Sequence, residues 1–330
     1  MTGKIKIGVI GAAGFIGEVH TRAAFEIPNA KLVAIADINE ERGKEVAKKY
    51  NTKWYKDYND MLKKEDIDAV IIATPDDLHL DPAIAAAEAG KHMLIEKPLA
   101  TNVKDAEEII KYAKKNGVKL MVGHTLRFFP EYVAIKEMIE RGEIGEIIQI
   151  WTRRNSRVDR ARRLKGRVSS VFFFGIHDID FIRWCVNDEI KRVYAVANKK
   201  LLKEINVEDT ILALLKFKNG CIASLENCWV LPQAYPTWCD ARIEIVGTKS
   251  AIFLNMMEQG LMIYNENIRQ YIPSTIHKKF ISPILYEDEH FINCLINNEE
   301  FIVTGEDGLI AVKIAEAIHK SINNEEVIIL

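Results

Sequence analysis

Short apolar runs alternate with amphipathic stretches along the first part of the chain. Residues 5–10, 31–36, 69–73, 92–95 and 119–122 read as strands without polar alternation. Between them lie helical patterns: from a glycine-rich turn to about Phe25, then 40–49, 82–89 closed by Gly90, and 103–115 closed by Asn116-Gly117. Glycine just past a helix is a stop signal, because it adopts the left-handed conformation without a Cβ clash. Strands that stay apolar on both faces must be covered on both faces. The pattern therefore predicts a parallel sheet between layers of helices.

From about residue 146 the pattern changes. Segments 147–153, 192–198, 210–217, 221–229, 241–246 and 251–255 have strand character and predict a largely antiparallel sheet. Asn219-Gly220 lies between two of them, a two-residue hairpin signal, and Gly247-Thr248-Lys249 predicts a second tight turn. Helical patterns at 176–186, 286–296 and 308–321 are expected to cover one face of this sheet, the last also packing back on the first domain. The fold class is α/β with two domains, expected at 1–125 and 126–330.

Composition agrees and narrows the class. A chain of 330 residues exceeds the roughly 250–300 at which one core stops growing. Hydrophobic residues make up 48%, enough to exclude general disorder. Lys+Arg 45 against Asp+Glu 47 leaves a net charge of -2, so no long-range field favours nucleic acid or a membrane surface. No apolar run approaches the roughly 20 residues of a membrane span. The opening MTGKIKIGVIGAAG enters a strand pattern directly and lacks a signal-peptide layout. Cys185, Cys221, Cys228, Cys239 and Cys294 are scattered without C-x-x-C spacing. A cytoplasmic protein without disulfides or structural zinc is the expectation.

The first chemical signal follows the first strand. Gly8, Gly11, Gly14 and Gly17 recur every third residue, with Ala13 near the middle glycine of the usual G-x-G-x-x-G. Such a turn lets backbone N–H groups approach a pyrophosphate at a helix N-terminus. Gly11, Ala13, Gly14, Phe15 and Ile16 are the candidate contacts. A glycine cluster alone is also compatible with a tight turn and no ligand. Asp37 ends the second strand about 20 residues further on, where a carboxylate accepts from a ribose 2′-hydroxyl and repels a 2′-phosphate. Ile38 and Asn39 follow it, and no base does. NAD is the expected cofactor, with NADP second.

The second signal is Glu96-Lys97-Pro98 after the fifth apolar run. A lysine at the carboxyl end of a parallel strand faces the crevice where open α/β sheets bind ligands. Its ammonium can stabilise an alkoxide developing during hydride transfer.

Taken together, these residues resemble the Gfo/Idh/MocA oxidoreductases, the group of glucose–fructose oxidoreductase and inositol dehydrogenase. The similarity runs through IGVIGAAGFIGEVH, AIAD ending at Asp37, ATPDDLH at 73–79 and KHMLIEKPLA at 91–100. It continues through RFFPEYVAIKEMIERGEIGEI at 127–147, GIHDIDFIRWCV at 175–186, RIEIVGTKSAIFL at 242–254 and EDGLIAVKIAEAIHKS at 306–321. The resemblance implies a Rossmann domain, then an α+β substrate-binding and oligomerisation domain with an open, largely antiparallel mixed sheet. It implies NAD(P)-dependent chemistry at a CH–OH carbon of a sugar, cyclitol or sugar acid, in a homodimer or homotetramer joined through that sheet.

Residue roles follow from the resemblance. Lys97 acts at the reacting centre and His177, in the G-x-H-x-x-D block, is the acid/base. Thr74, Pro75, His79, Glu96 and Lys97 are expected at the cofactor, while His124 and Arg127 are expected near cofactor or substrate. His177, Asp178 and Asp180 are not expected to bind a metal. Asp180, sharing a helix face with His177, is expected to be structural or to orient it. One position departs from the family. Many members carry an aspartate four residues before the histidine, and here that residue is Phe173.

The segment from Arg153 to Arg167 is strongly basic: Arg153, Arg154, Arg157, Arg160, Arg162, Arg163, Lys165 and Arg167 are opposed along the chain only by Asp159. Its arginines, Arg160 and Arg163 above all, suggest an anionic substrate, against a solvated loop or an intersubunit segment. Trp229, Tyr235 and Trp238 are either a pocket wall or packing. Two other classes compete with a dehydrogenase. One is a glycosidase-like enzyme that oxidises its substrate transiently on tightly held NAD. The other is a dinucleotide-binding regulator without catalysis, a reading kept alive by Phe173 and opposed by Lys97 and His177.

Overall fold

The computed structural model describes residues 3–237, 239–256, 261–263, 269–271 and 275–330. Two compact units result. The first is Met1–Phe128 with Ser274–Val312, the second Phe129–Pro273 with Lys313–Leu330.

The first unit alternates strand and helix: β1 (Ile5–Ile10), α1 (Phe15–Glu26), β2 (Ala30–Ala36), α2 (Glu40–Lys49), β3 (Lys53–Tyr55), α3 (Tyr58–Lys64), β4 (Ala69–Ile72), α4 (Leu80–Glu88), β5 (His92–Glu96), α5 (Val103–Lys115) and β6 (Leu120–Gly123). Its six strands are all parallel, in the order β3-β2-β1-β4-β5-β6. Ile7, Val9, Ile71, Ile72, Leu94 and Ile95 are fully buried, as a sheet covered on both faces requires. Helix starts are fixed by side chains: Asn39 accepts from the Arg42 N–H, Asp57 from Asn59 and Asn102 from Asp105. Strand order reverses between β1 and β4, and the crevice beyond their carboxyl ends is where such sheets bind ligands.

The second unit begins with α6 (Pro130–Glu140), β7 (Ile147–Arg157), α7 (Val158–Leu164) and α8 (Ile176–Val186). Next come β8 (Ile190–Asn198), β9 (Thr210–Phe217), β10 (Ile222–Leu231), β11 (Cys239–Gly247) and β12 (Ala251–Asn255). Two short ribbons follow: β13 (Leu261–Ile263) with β14 (Arg269–Tyr271), and β15 (Thr275–Ile276) with β16 (Lys279–Phe280). The chain ends with α9 (Pro283–Asn297), α10 (Gly305–Asn324) and β17 (Ile328–Ile329). The large sheet runs β12-β11-β7-β10-β9-β8-β17, with β7 and β10 parallel and the other neighbours antiparallel. Gly220 at φ +99° makes the β9–β10 turn. Burial alternates along β9: Ile211, Ala213 and Leu215 are buried, while Leu212 and Leu214 are exposed.

Two expectations change. The helix expected at 286–296 to cover the second sheet is α9, and it belongs to the first unit. Its inward face carries Asp288, fully buried against His20 of α1, beside Phe291 and Ile292. A buried carboxylate needs its partner, which holds α9 there. The basic stretch from Arg153 is no loop. It is the end of β7 followed by α7, a helix hidden in the sequence by its run of arginines.

Candidate active site

Immediately after β1, Gly11 takes φ +83°. A Cβ there would lie 2.6 Å from the Ala73 carbonyl oxygen, so the close passage of the loop after β4 demands glycine. A Cβ on Gly17 would collide with the Gly11 carbonyl oxygen. Gly14 is the N-cap of α1 and offers no side-chain cap, so the first N–H groups of the helix face outward for an anion. Phe15 is 87% exposed beside this turn. Asp37, past the end of β2, accepts from the Ala13 N–H through Oδ2 (2.8 Å) and from the Asn39 N–H through Oδ1 (2.8 Å). Its carboxylate is thus fixed against the glycine turn. Ile38 and Leu78 are exposed on the loops after β2 and β4, and neither stood out as a site residue in the sequence. A cradle that a Cβ would fill, an uncapped helix start and an anchored carboxylate fit a dinucleotide.

Lys97 is half-buried after β5. Glu96, expected at the cofactor, turns inward: Oε2 accepts from the Lys97 N–H (2.9 Å), and the side chain is buried. His79, also expected there, is fully buried and ties two loops together. Its Nδ1 lies 2.8 Å from the Pro98 carbonyl oxygen and its Nε2 3.1 Å from that of Thr74. Arg127 is likewise internal. Its guanidinium donates to the Ile302 carbonyl (2.6 Å) and pairs with Asp307 (3.3 Å), fastening the 3-10 turn Thr125–Phe128. These three side chains shape the loops around the crevice.

In the second unit a π turn, Val171–Gly175, leads into α8. Such turns carry an extra residue per turn and recur at functional sites. A Cβ on Gly175 would collide with the Asn227 side-chain oxygen, so the turn sits on β10 only with glycine. His177 is half-buried in the first turn of α8. The next residue, Asp178, is fully buried and takes a two-pronged hold from Arg154 of β7, with Nε at 3.1 Å and Nη2 at 2.8 Å. Arg154 also donates to the Tyr132 hydroxyl (3.2 Å). Asp180 is buried as well.

Phe173 packs its ring against Phe174 (centroids 4.8 Å apart) and Trp229 (6.2 Å), at the edge of a cluster with Ala161, Leu202 and Val207. Trp229 is fully buried and donates its indole N–H to the Glu208 carbonyl (2.7 Å), which makes it core. Trp238 lies outside the described residues. Besides Asp159, the basic segment meets acids from distant parts of the chain. Arg153 pairs with Glu226 (3.0 Å), Arg157 with Asp159 (3.2 Å) and Arg162 with Glu204 (3.2 Å), while Arg160 lies over the Phe174 ring (5.9 Å). Arg163 is exposed. Much of the segment's charge is answered within its own unit.

The fold pairs a parallel six-stranded sheet, with a turn that fits a dinucleotide, with a second unit built on a mixed sheet, and comparison with known proteins places the chain. Residues 5–124 match the Gfo/Idh/MocA oxidoreductase family, NAD-binding Rossmann fold, and residues 136–330 match its C-terminal alpha/beta domain. The chain belongs to this family of NAD-dependent oxidoreductases. It is similar to a myo-inositol 2-dehydrogenase of Thermotoga maritima, 30% identical over 334 residues, 97% of each chain. It is also similar to a scyllo-inositol 2-dehydrogenase (NAD(+)) of Bacillus subtilis, 29% identical over 332 residues, 98% of this chain and 96% of the relative. Among solved structures, the scyllo-inositol dehydrogenase of Lactobacillus casei with bound NAD(H) and scyllo-inositol matches with a TM-score of 0.87 at 26% identity, covering 99% of each chain. Among the described residues, no helix is long and apolar enough to cross a membrane.

Proposed function

We propose that this chain is an NAD-dependent dehydrogenase of a cyclitol or a closely related polyol. The observation that carries the reading is end-to-end similarity to inositol dehydrogenases in a chain with Lys97 in its Glu-Lys-Pro turn and His177 in its G-x-H-x-x-D block. When bound, NAD supplies the hydride acceptor. The backbone of Gly11 to Phe15 and the start of α1 would hold its pyrophosphate, Asp37 would accept from a ribose hydroxyl, and the exposed Ile38 and Leu78 would offer apolar contact to the base. Thr74 and Pro75 shape the wall of the crevice. His177 takes the proton of the substrate hydroxyl on its ring, a task an imidazole suits by having a nitrogen that can accept and return a proton. The Lys97 ammonium donates to the same oxygen and stabilises the charge that develops there. A neutral polyol suits the basic segment, whose arginines are largely engaged with acids and a ring. The test is to mix the protein with myo- and scyllo-inositol and NAD and follow NADH absorbance. Steady NADH formation supports the reading, and cofactor that cycles on the protein without net NADH supports transient oxidation instead.

Asp37 carries the cofactor preference. Asp37→Arg is expected to weaken NAD binding by about tenfold to a hundredfold, the worth of a charge-assisted hydrogen bond, and to improve NADP binding. Titration of both dinucleotides decides it, and unchanged NAD affinity would remove Asp37 from the ribose site.

The open face of the second sheet is proposed to join copies of the chain. Tyr194, Val196, Leu212, Leu214, Ile222 and Phe253 are all exposed on that face, and a patch of that kind marks an interaction surface. Leu214→Lys is expected to shift the protein toward monomer in sedimentation. An assembly indifferent to that charge would place the contact elsewhere.

A further inference from the structure

Four ionisable side chains are buried together in the first unit: His20 of α1, Glu96 at the end of β5, and Glu287 and Asp288 of α9. Both ring nitrogens of His20 face carboxylates. Nδ1 lies 2.9 Å from Asp288 Oδ1, and Nε2 lies 3.1 Å from Glu96 Oε1. With both carboxylates ionised, each can only accept, so both ring nitrogens donate and the ring is an imidazolium. Burial opposes that charge. The Asp288 and Glu96 carboxylates outweigh it and hold the ring protonated well above the ordinary imidazole value of 6.5. Burial pushes Glu96 up, yet His20 holds it below the usual carboxylate range; burial prevails at Asp288 and raises it. The second oxygen of Glu96 accepts the Lys97 N–H (2.9 Å), and His79 fastens the next peptide at the Pro98 carbonyl (2.8 Å). A continuous chain of hydrogen bonds therefore runs from Asp288 of α9 through His20 and Glu96 to the backbone of Lys97.

We propose that His20 is a positioning residue for Lys97: a buried imidazolium, clamped between Asp288 and Glu96, that sets the place of the turn from which the Lys97 ammonium projects. The inference rests on the reactive role of Lys97 proposed above. His20, Glu287 and Asp288 bring ligand-type atoms within 4.8 Å of one another. Both His20 nitrogens are nevertheless occupied as donors, which leaves no imidazole lone pair for a cation. The groups facing His20 are Asp288 and Glu287 from α9 and Glu96 from β5, with Lys97 and His79 acting on Glu96 from beyond. The linkage sign follows from a raised imidazole. The brace stabilises fully below the ordinary value of 6.5 and is lost as pH rises through the raised one.

The test uses the whole protein and compares wild type, His20→Gln and Asp288→Asn. Three quantities are measured: NAD affinity by titration, kcat and KM for a cyclitol, and the ring nitrogen shifts of His20 by NMR. Both ring nitrogens are expected to be protonated at neutral pH. Because small misplacements of a reacting group are costly, kcat should fall by about tenfold to a hundredfold while NAD affinity stays within about threefold. Should His20→Gln fail to fold, Asp288→Asn, which keeps an oxygen acceptor, reads the same split. A neutral His20 ring at neutral pH overturns the proposal. So does unchanged kcat in a folded variant, or a loss of NAD affinity that matches the loss of kcat. Failure of the function itself looks different: wild type turns over no cyclitol while the His20 ring still reads doubly protonated.

Discussion

Lys97→Ala is expected to lower kcat by about a thousandfold, the loss seen when a preorganised donor is removed from a developing oxyanion. NAD affinity should stay within about threefold. Lys97 follows β5, whose residues Met93, Leu94 and Ile95 are fully buried, so its backbone is held by a rigid strand. Glu96 accepts its N–H and Pro98 is tied to His79, which fixes the turn on both sides of the side chain. Truncation leaves those backbone ties in place and removes the ammonium with its stem. Lys97→Arg, with its charge on a wider planar group, should restore little. Turnover undiminished in Lys97→Ala would take this residue out of the chemistry.

The second large effect is on stability. Arg154→Met should destabilise the second unit by about 3–5 kcal/mol, because it leaves the Asp178 carboxylate buried without its cation. Arg154 is 7% exposed and Asp178 fully buried, so water cannot compensate. The double variant Arg154→Met with Asp178→Leu should recover most of the loss, since a buried ion pair is often matched by apolar residues of similar size. Urea unfolding of the single and double variants reads the difference. A single variant as stable as wild type would show that the pair does not hold α8. Because Asp178 follows His177 directly, the single variant should also lose turnover in the folded state.

Where local physics decides, the sequence was readable to the residue. The helices at 40–49, 103–115 and 176–186 and the strands at 210–217 and 251–255 stand where the hydrophobic pattern put them. Caps and turn residues mark their ends, as with Asn39, Asn102 and Asn219-Gly220. β3 escaped because three residues at a sheet edge carry no periodicity, and α7 because arginine obscures its apolar face. The glycine turn and Asp37 were legible because their requirements are local. The inward turn of Glu96, His79 and Arg127 was not, since their partners come from other loops. The brace on Lys97 is the extreme case: His20 and Asp288 lie 268 positions apart, and no local pattern announces the pair. Arg154 is likewise one arginine of a basic run in linear order, and its partner, Asp178, comes from another element.

The decisive step is hydride transfer from a ring carbinol carbon to NAD. The most direct measurement gives the protein scyllo- or myo-inositol deuterated at its carbinol carbons, with NAD, and weighs the products by mass spectrometry. One deuterium in each NADH formed and an equal amount of inosose are expected. Unlabelled cofactor recovered beside a converted substrate, or a deuterium returned to the product carbon, would contradict it.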